Sequence, residues 1–445
     1  MTKIQVSRRN FLQTAAVAAA PLVLPSALFG KDGETAPSNK ITFGMMGVGG
    51  RAQHDLDKMI NMPDTQLLAI CDVQKNRREG TKNTWVKNGK VSENEVTLYR
   101  DFREMFARPD IDAVMVITGD RWHGHGAIYA AQAGKDVYVE KPCALSMDIS
   151  RQIQNTMNRY GTVFQAGTQR RSLSNFITAR DLVLSGKLGK IKRVYASLSP
   201  WGLNCRTDWL PAEPEPNKEE LDWDMWLGPA PWRPFNKSYT NGGWRGFYDF
   251  DSGSQYHEWG AHTLDLIQWM INEDGSAPVE YWLPGSKGDE SIHRYAPGNP
   301  VGVSEGIELV MRTVQRGWLG LGTCPVRVEG ENGWIETGDS GRIEVSPASL
   351  RSELVLDPTI YNNRKTEQGT NAYKNVRNWV DCIKTRAKTI ANADVMASSH
   401  VATHAAAISY MLKKQLKFDP KTDTFIGDET ANRMRTRSWR EPWSV

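Results

Sequence analysis

Two groups of residues in this 445-residue chain have the types and spacing to handle protons and charge. The first is Glu140-Lys141-Pro142, reached at the end of the β-branched and aromatic run Val137-Tyr138-Val139. Proline fixes its own φ, lacks an N–H, and pushes the residue before it out of the helical region. Lys141 is therefore expected at a strand end, where open α/β sheets put their ligands. The second group is Glu258, His262 and Asp265, in an apolar helix that opens near Ser252. Their i, i+4, i+7 spacing puts them on one helical face. A carboxylate one turn from an imidazole can orient it and support its cationic form. His257 and His262 are five apart, which is not the zinc-protease spacing, and no metal site is expected. His400 and His404 share a helical face, have no acidic third ligand in view, and are read as packing residues.

Positioning these groups requires a nucleotide-type fold upstream. Ile41–Met46 reads as a strand and leads into Gly47-Val48-Gly49-Gly50-Arg51-Ala52, a Gly-x-Gly-x-x-Ala turn that opens a helix. Gly47 suits the tight turn, Gly49 the approach of a pyrophosphate, and Ala52 close helix–strand packing. The helix N-terminus beyond Gly50 and Arg51 offers free N–H groups to phosphate. A second strand, 66–71, ends in Asp72, placed to accept from a ribose diol and to favour NAD. Lys75, Arg77 and Arg78 nearby leave NADP open. The strand 113–117 ends in a loop at the same sheet edge, Thr118 to His123, where Trp122 and His123 could line a cofactor; His123 could equally cap the Ala-rich helix from Gly126. The pattern is βαβ repeated, hence a parallel, doubly wound sheet.

From Ile191 the texture changes to half-exposed alternation, continued around 306–313, 317–323, 326–330 and 333–337. The fold class is therefore α/β: an N-terminal Rossmann-type sheet and a C-terminal α+β domain with a largely antiparallel open sheet. The expected division is a nucleotide domain over 41–165, a substrate and oligomerisation domain over 166–385, and a C-terminal helix and tail over 386–445. A Trp-rich insert over 200–250 sits within the second domain, and seven of the sixteen tryptophans fall between Trp201 and Trp259. Such loops are packed inserts or binding surfaces, and indole faces suit the C–H side of a pyranose.

The formal charge of +4 owes most to Lys3, Arg8 and Arg9 in a leader without acids, so nothing points to nucleic acid. Ser7-Arg8-Arg9-Asn10-Phe11-Leu12 and the apolar run to Leu28 read as a twin-arginine export signal over 1–30, followed by a linker over 31–40. Pro21 and Pro25 make the run a poor membrane span. The export machinery is an expected partner, the location periplasmic or otherwise exported, and cleavage of the signal is open. Five widely spaced cysteines argue against a disulfide framework.

Taken together, the glycine turn, Asp72, the Thr118–His123 loop, Glu140-Lys141-Pro142 and the Glu258…His262…Asp265 helix resemble the Gfo/Idh/MocA family of oxidoreductases. The resemblance runs from Ile41 to the end of the second sheet. It implies a tightly bound NAD beside Lys141 and His262, which would flank the reacting hydroxyl of a carbohydrate. It also brings Gln169, Arg170 and Arg171 near the nicotinamide as substrate contacts. Glu258 stands where family members usually have Asp. Ser252 to His257 replace the usual glycine-rich approach, so Tyr256 and His257, with Asp265, are expected to add substrate contacts. A dimer or tetramer built on the open second sheet is implied as well. The expected activity is hydride transfer at a sugar or glycoside hydroxyl. The alternatives are an NAD-dependent glycosidase that recycles its cofactor in one cycle, and a non-catalytic exported sugar-binding protein.

Overall fold

The computed structural model describes residues 39–198, 205–252, 255–288, 290–313, 318–354 and 373–445. The twin-arginine stretch, most of the linker, Trp201, Gly253-Ser254 and Gly317 lie outside these residues. Among the described residues no helix is long and apolar enough to cross a membrane.

The N-terminal sheet is parallel, in the order β3-β2-β1-β4-β5-β6. Its strands are β1 Ile41–Met46, β2 Thr65–Cys71, β3 Thr97–Tyr99, β4 Ala113–Val116, β5 Asp136–Val139 and β6 Phe164–Ala166. Strand residues alternate between two cores, as a period of two requires. Val114 and Val116 face the helices Asp120–Gln132 and Met147–Tyr160, while Ala113 and Met115 face the helix Gly50–Ile60. The chain order reverses between β1 and β4, and the crevice at their carboxyl ends is where such sheets take ligands. Gly47 makes the turn there at φ +84°, and a Cβ on it would stand 2.6 Å from the Ile117 carbonyl oxygen.

The second sheet has nine strands in the order β13-β12-β11-β7-β10-β9-β8-β14-β15. These are β7 Ile191–Leu198, β8 Glu280–Tyr281, β9 Ser291–Arg294, β10 Glu308–Thr313, β11 Val326–Gly330, β12 Trp334–Thr337, β13 Ile343–Ser346, β14 Leu416–Asp419 and β15 Thr424–Phe425. Within it β7 and β10 run parallel, and the pairings on either side are antiparallel. The strand expected over 317–323 is absent from the described part. Residues 318–320 turn instead, because Gly320 and Gly322 take φ of +68° and +97°, which cannot continue a strand.

The C-terminal helices do not follow the expected division. Val376, Trp379, Val380 and Ile383 of the helix Tyr373–Thr385 form an i, i+3, i+4, i+7 stripe that packs on the first sheet with Phe43, Met45 and Tyr138. The Trp379 indole N–H donates to the Val163 carbonyl at 3.1 Å. The helix Ala393–Leu412 is shared: Ala393, Met396 and Ala397 lie in the nucleotide-domain core, and Val401, Ala402, Ala405 and Ala406 in the second.

Candidate active site

Two adjoining cavities open at the carboxyl ends of the first sheet. The larger, about 280 Å³, is lined by the glycine turn (Gly47, Gly49, Gly50), Arg51, Asp72, Thr118 and Trp122. Gly49 is the N-cap of the helix Gly50–Ile60 and provides no side-chain cap, so the first N–H groups are free for an anion. The Asp72 carboxylate accepts from the amides of Val48 at 3.0 Å and Gln74 at 2.9 Å, which ties the turn to the end of β2. A carboxylate has about four acceptor sites, so it keeps capacity for a ribose diol. Arg77, Arg100 and Arg121 add cationic walls. A flat, anionic dinucleotide fits this donor set.

The second cavity, about 230 Å³, is lined by Lys141, Glu258 and His262, with His123, Gln169 and Arg170. It shares Arg51, Ile117, Thr118 and Arg245 with the first. Lys141, at the end of β5 and joined to Pro142 by a cis peptide bond, reaches the helix Gln255–Met270. Its ammonium donates to the Glu258 carbonyl at 3.3 Å and lies 3.7 Å from the Glu258 carboxylate. Arg245 approaches the same carboxylate at 3.6 Å.

Glu258 was expected to orient His262, and the structure corrects this. The helical face is shared, but the carboxylate turns to two cations that attract it more strongly than a neutral imidazole does. His262 Nδ1 is buried with no hydrogen-bonding partner among the described residues. Burial, followed by the charges of Arg170, Lys141 and Arg51, pushes the His262 pKa well below its ordinary value. His262 is therefore a neutral imidazole at the wall of the cavity.

Glu140 is buried, and its carboxylate is committed to protein partners. It accepts from Arg51 at 3.1 Å, from Gln169 at 2.5 Å and from the Lys141 amide at 3.0 Å. Burial opposes its ionisation, but Arg51 and Lys141 outweigh burial and hold Glu140 below the usual carboxylate range. Asp55 stands on the other side of Arg51 at 3.0 Å, and burial and the Glu140 charge raise its pKa well above that range. Gly167 makes room for the network, since a Cβ there would lie 2.6 Å from Glu140 Oε1.

Four expected substrate contacts lie elsewhere. Arg171 and Asp265 are both 1% exposed and paired with each other at 2.6 and 2.9 Å, and Arg171 also binds Asp274 at 2.6 Å. A guanidinium fork this well matched by carboxylates fastens the turn Gln169–Ser172 to the helix Gln255–Met270. Tyr256 points into the second core, its hydroxyl 3.0 Å from Ser291 Oγ. His257 is fully buried with its ring 4.0 Å from that of His404. Arg170 does reach the cavity and is held by Asp339 at 2.9 and 2.7 Å. His123 is no helix cap: it lies inside the helix Asp120–Gln132, with Nδ1 2.7 Å from the Pro142 carbonyl.

Sequence reasoning missed Asp120, Arg245 and Trp259 in the second cavity, and Arg121, Trp226 and Trp244 in the first. The signal available was the Trp-rich insert. Trp223 and Trp226 stack at 4.7 Å in a small core with Tyr239, Phe247 and Phe250, so the insert is a packed body. Trp226 and Trp244 also serve as cavity wall.

Family models place the chain. The NAD-binding Rossmann-fold model of the GFO_IDH_MocA oxidoreductase family matches residues 41–168, and the C-terminal alpha/beta domain model of that family matches 175–292 and 332–445. A myo-inositol 2-dehydrogenase of Thermotoga maritima is 30% identical over 149 residues, 33% of this chain and 42% of that protein. A glycosyl hydrolase family 109 protein of Shewanella baltica is 29% identical over 175 residues, 35% of this chain and 37% of that protein. The matched segments thus span under half the length of these relatives. Among solved structures, an aldose-aldose oxidoreductase from Caulobacter crescentus shares the fold with a TM-score of 0.58 at 18% identity, over 85% of this chain and 100% of that one. A Bordetella pertussis dehydrogenase in complex with NADH and UDP-GlcNAcA gives 0.58 at 17% identity, over 85% and 99%. The chain belongs to the Gfo/Idh/MocA family of NAD-binding oxidoreductases.

Proposed function

We propose that the protein transfers hydride between a nicotinamide dinucleotide and a secondary hydroxyl of a sugar or cyclitol, with Lys141 and His262 handling the hydroxyl. The observation that carries this reading is the junction of the two cavities at Arg51, Ile117, Thr118 and Arg245, which sets the Lys141–His262 pair beside the nucleotide site. The bound nicotinamide supplies the hydride acceptor and donor. His262, neutral and buried, takes the hydroxyl proton. Lys141 hydrogen-bonds the same oxygen and stabilises the charge that develops there. Glu258 holds Lys141 in place. Arg170, fixed by Asp339, presents donors to the remaining hydroxyls, and Gln169, whose amide N–H groups go to Tyr138 and Glu140, offers its carbonyl oxygen as an acceptor.

The glycosyl hydrolase relatives favour a second outcome of the same chemistry, in which oxidation activates a ring for elimination, water adds, and reduction restores the cofactor. The test uses the purified protein, with bound nucleotide released and identified. The holo-protein is then incubated with cyclitols, aldoses and glycosides without added NAD. A keto product, or a paired oxidised and reduced product, supports the oxidoreductase; hydrolysis supports the second reading; no turnover with any class refutes both.

Export through Arg8-Arg9 and a homo-oligomeric state belong to the same proposal. Cell fractionation with and without a twin-arginine translocase tests the first, and light scattering the second.

A further inference from the structure

The insert between β7 and the helix Gln255–Met270 lies over the nucleotide cavity, and its attachment is more elaborate than cavity lining requires. Along one edge it continues the nucleotide domain's own backbone. Gln74 and Leu221 form an antiparallel bridge, the Lys75 amide donates to Glu220, and the Asp222 amide donates to Val73. The short helix Trp223–Leu227 then presents its carbonyls to the helix Asp120–Gln132. Arg121 Nε donates to the Trp226 carbonyl at 2.5 Å, and the Trp122 indole donates to the Met225 carbonyl at 2.7 Å. The Arg121 guanidinium also lies 3.5 Å over the Trp226 ring. These four side chains form the wall of the cavity.

Behind that wall, on the side away from the cavity, runs the stretch 435–443. Arg440 makes four bonds to the insert: its Nη1 to the Asp224 carboxylate at 2.5 Å, its Nη2 to the Asp224 carbonyl at 2.8 Å, its Nε to the Gly228 carbonyl at 3.1 Å, and its amide to the Pro229 carbonyl at 2.9 Å. The Gly228 and Pro229 carbonyls, just past the short helix, thereby gain a donor, while the Asp224 carbonyl accepts both from Arg440 and from the Gly228 amide at 2.9 Å. Three residues on, Trp443 is 4% exposed and wedged edge-on against Trp122 at 5.1 Å, with Phe102 at 6.1 Å. Neither Arg440 nor Trp443 is among the residues that line the two cavities. One grips the insert, the other grips the nucleotide domain, and only Glu441 and Pro442 lie between them. Space at the joint is tight, since a Cβ on Gly228 would lie 2.2 Å from the Trp122 ring.

We infer that Arg440 and Trp443 are positioning residues that latch the insert onto the nucleotide domain, acting through Trp226 and Trp122 to keep the dinucleotide resident between catalytic cycles. The inference rests on the dinucleotide reading of the first cavity. Lifting of the short helix must already break the bonds to its carbonyls from Arg121 and Trp122. A guanidinium on the helix end and an indole under Trp122 make that lifting cost several contacts at once. Dinucleotide exchange is then slow because the wall is pinned from behind, with no added contact to the nucleotide itself.

The test compares the full-length wild-type protein with Arg440→Ala, Arg440→Lys and Trp443→Ala. Bound NAD(H) is quantified after desalting, and its release is timed by dilution into excess unlabelled NAD. Wild-type protein is expected to keep close to one nucleotide per chain. Arg440→Ala and Trp443→Ala should release it at least tenfold faster, while kcat at saturating NAD stays within twofold and far-ultraviolet circular dichroism is unchanged. Arg440→Lys, which keeps the ion pair with Asp224 and loses the fork to the carbonyls, should fall between. Unchanged release in both alanine variants overturns the latch while leaving the dinucleotide reading intact. A parallel fall in kcat at saturating NAD overturns it in favour of a general structural role. Failure of the wild-type protein to bind any dinucleotide overturns the latch together with the reading beneath it.

Discussion

The Lys141 ammonium is engaged twice by one residue, by the Glu258 carbonyl at 3.3 Å and the Glu258 carboxylate at 3.7 Å. The helix that bears His262 therefore also fixes the lysine opposite it. Replacing Lys141 with Ala should lower kcat by about 10²–10⁴-fold. Bound nucleotide, measured by its absorbance after desalting, should persist. Turnover close to wild type would remove Lys141 from the chemistry.

Glu258 should couple to Lys141 and not to His262. In double-mutant cycles on kcat/KM, Glu258→Gln with Lys141→Ala should show an interaction of about 0.5–3 kcal/mol, as expected for residues in contact. Glu258→Gln with His262→Ala should be additive within about 0.5 kcal/mol. The reverse pattern would restore the carboxylate–imidazole pair that helical spacing suggests.

The pH dependence follows from His262 itself. Its pKa is depressed by burial and by neighbouring cations, so the base form persists as pH falls through the ordinary histidine value of about 6.5. The acid limb of kcat/KM attributable to His262 should lie below that value. An acid limb at or above pH 6.5 that vanishes in His262→Asn would contradict the assignment.

Acid stability has a related cause. Burial depresses His125 and His293 to about 3 and His400 to about 4, and pushes His257, His262 and His404 well below the usual value. Below about pH 6.5 the unfolded chain binds protons that the folded chain does not, so stability is full above that pH and declines as pH falls. Each such histidine contributes a slope of about 1.4 kcal/mol per pH unit. Urea unfolding between pH 7 and 5 should show the decline, and His293→Gln should make it shallower.

Arg171 and Asp265 should behave as structure. Asp265→Ala leaves a buried guanidinium short of a partner and should destabilise the fold by about 3–5 kcal/mol, read by urea unfolding. KM for substrate should stay near wild type if enough folded protein is recovered. A raised KM with unchanged stability would return the pair to the substrate site.

The parallel sheet, the glycine turn and Asp72 at its strand end were legible because each is written in a local pattern, a strand or a turn residue, whereas the pairing of Lys141 with His262 came from the family resemblance alone. What local pattern could not reveal was competition between partners. Asp265 shares the face of His262, yet Arg171 from a distant turn claims it. Glu258 lies one turn from His262, yet Lys141 and Arg245 claim it. The helix Tyr373–Thr385 carries an ordinary amphipathic stripe, and nothing in the stripe says which of two sheets it will cover. Arg440, Arg121 and Arg245 were illegible for the same reason, since an arginine in sequence does not disclose its acceptor.

The placement of that helix has a consequence for the order of events at the ribosome. The first sheet is complete by Ala166, but one of its faces waits for Trp379 and its neighbours, more than two hundred residues later. The helix Ala393–Leu412 then enters both cores after that. The half that is synthesised first is thus among the last to be closed. A nascent chain stopped before Tyr373 would leave Tyr138 without the Trp379 ring that packs on it at 5.7 Å, and should need a chaperone until the remainder emerges.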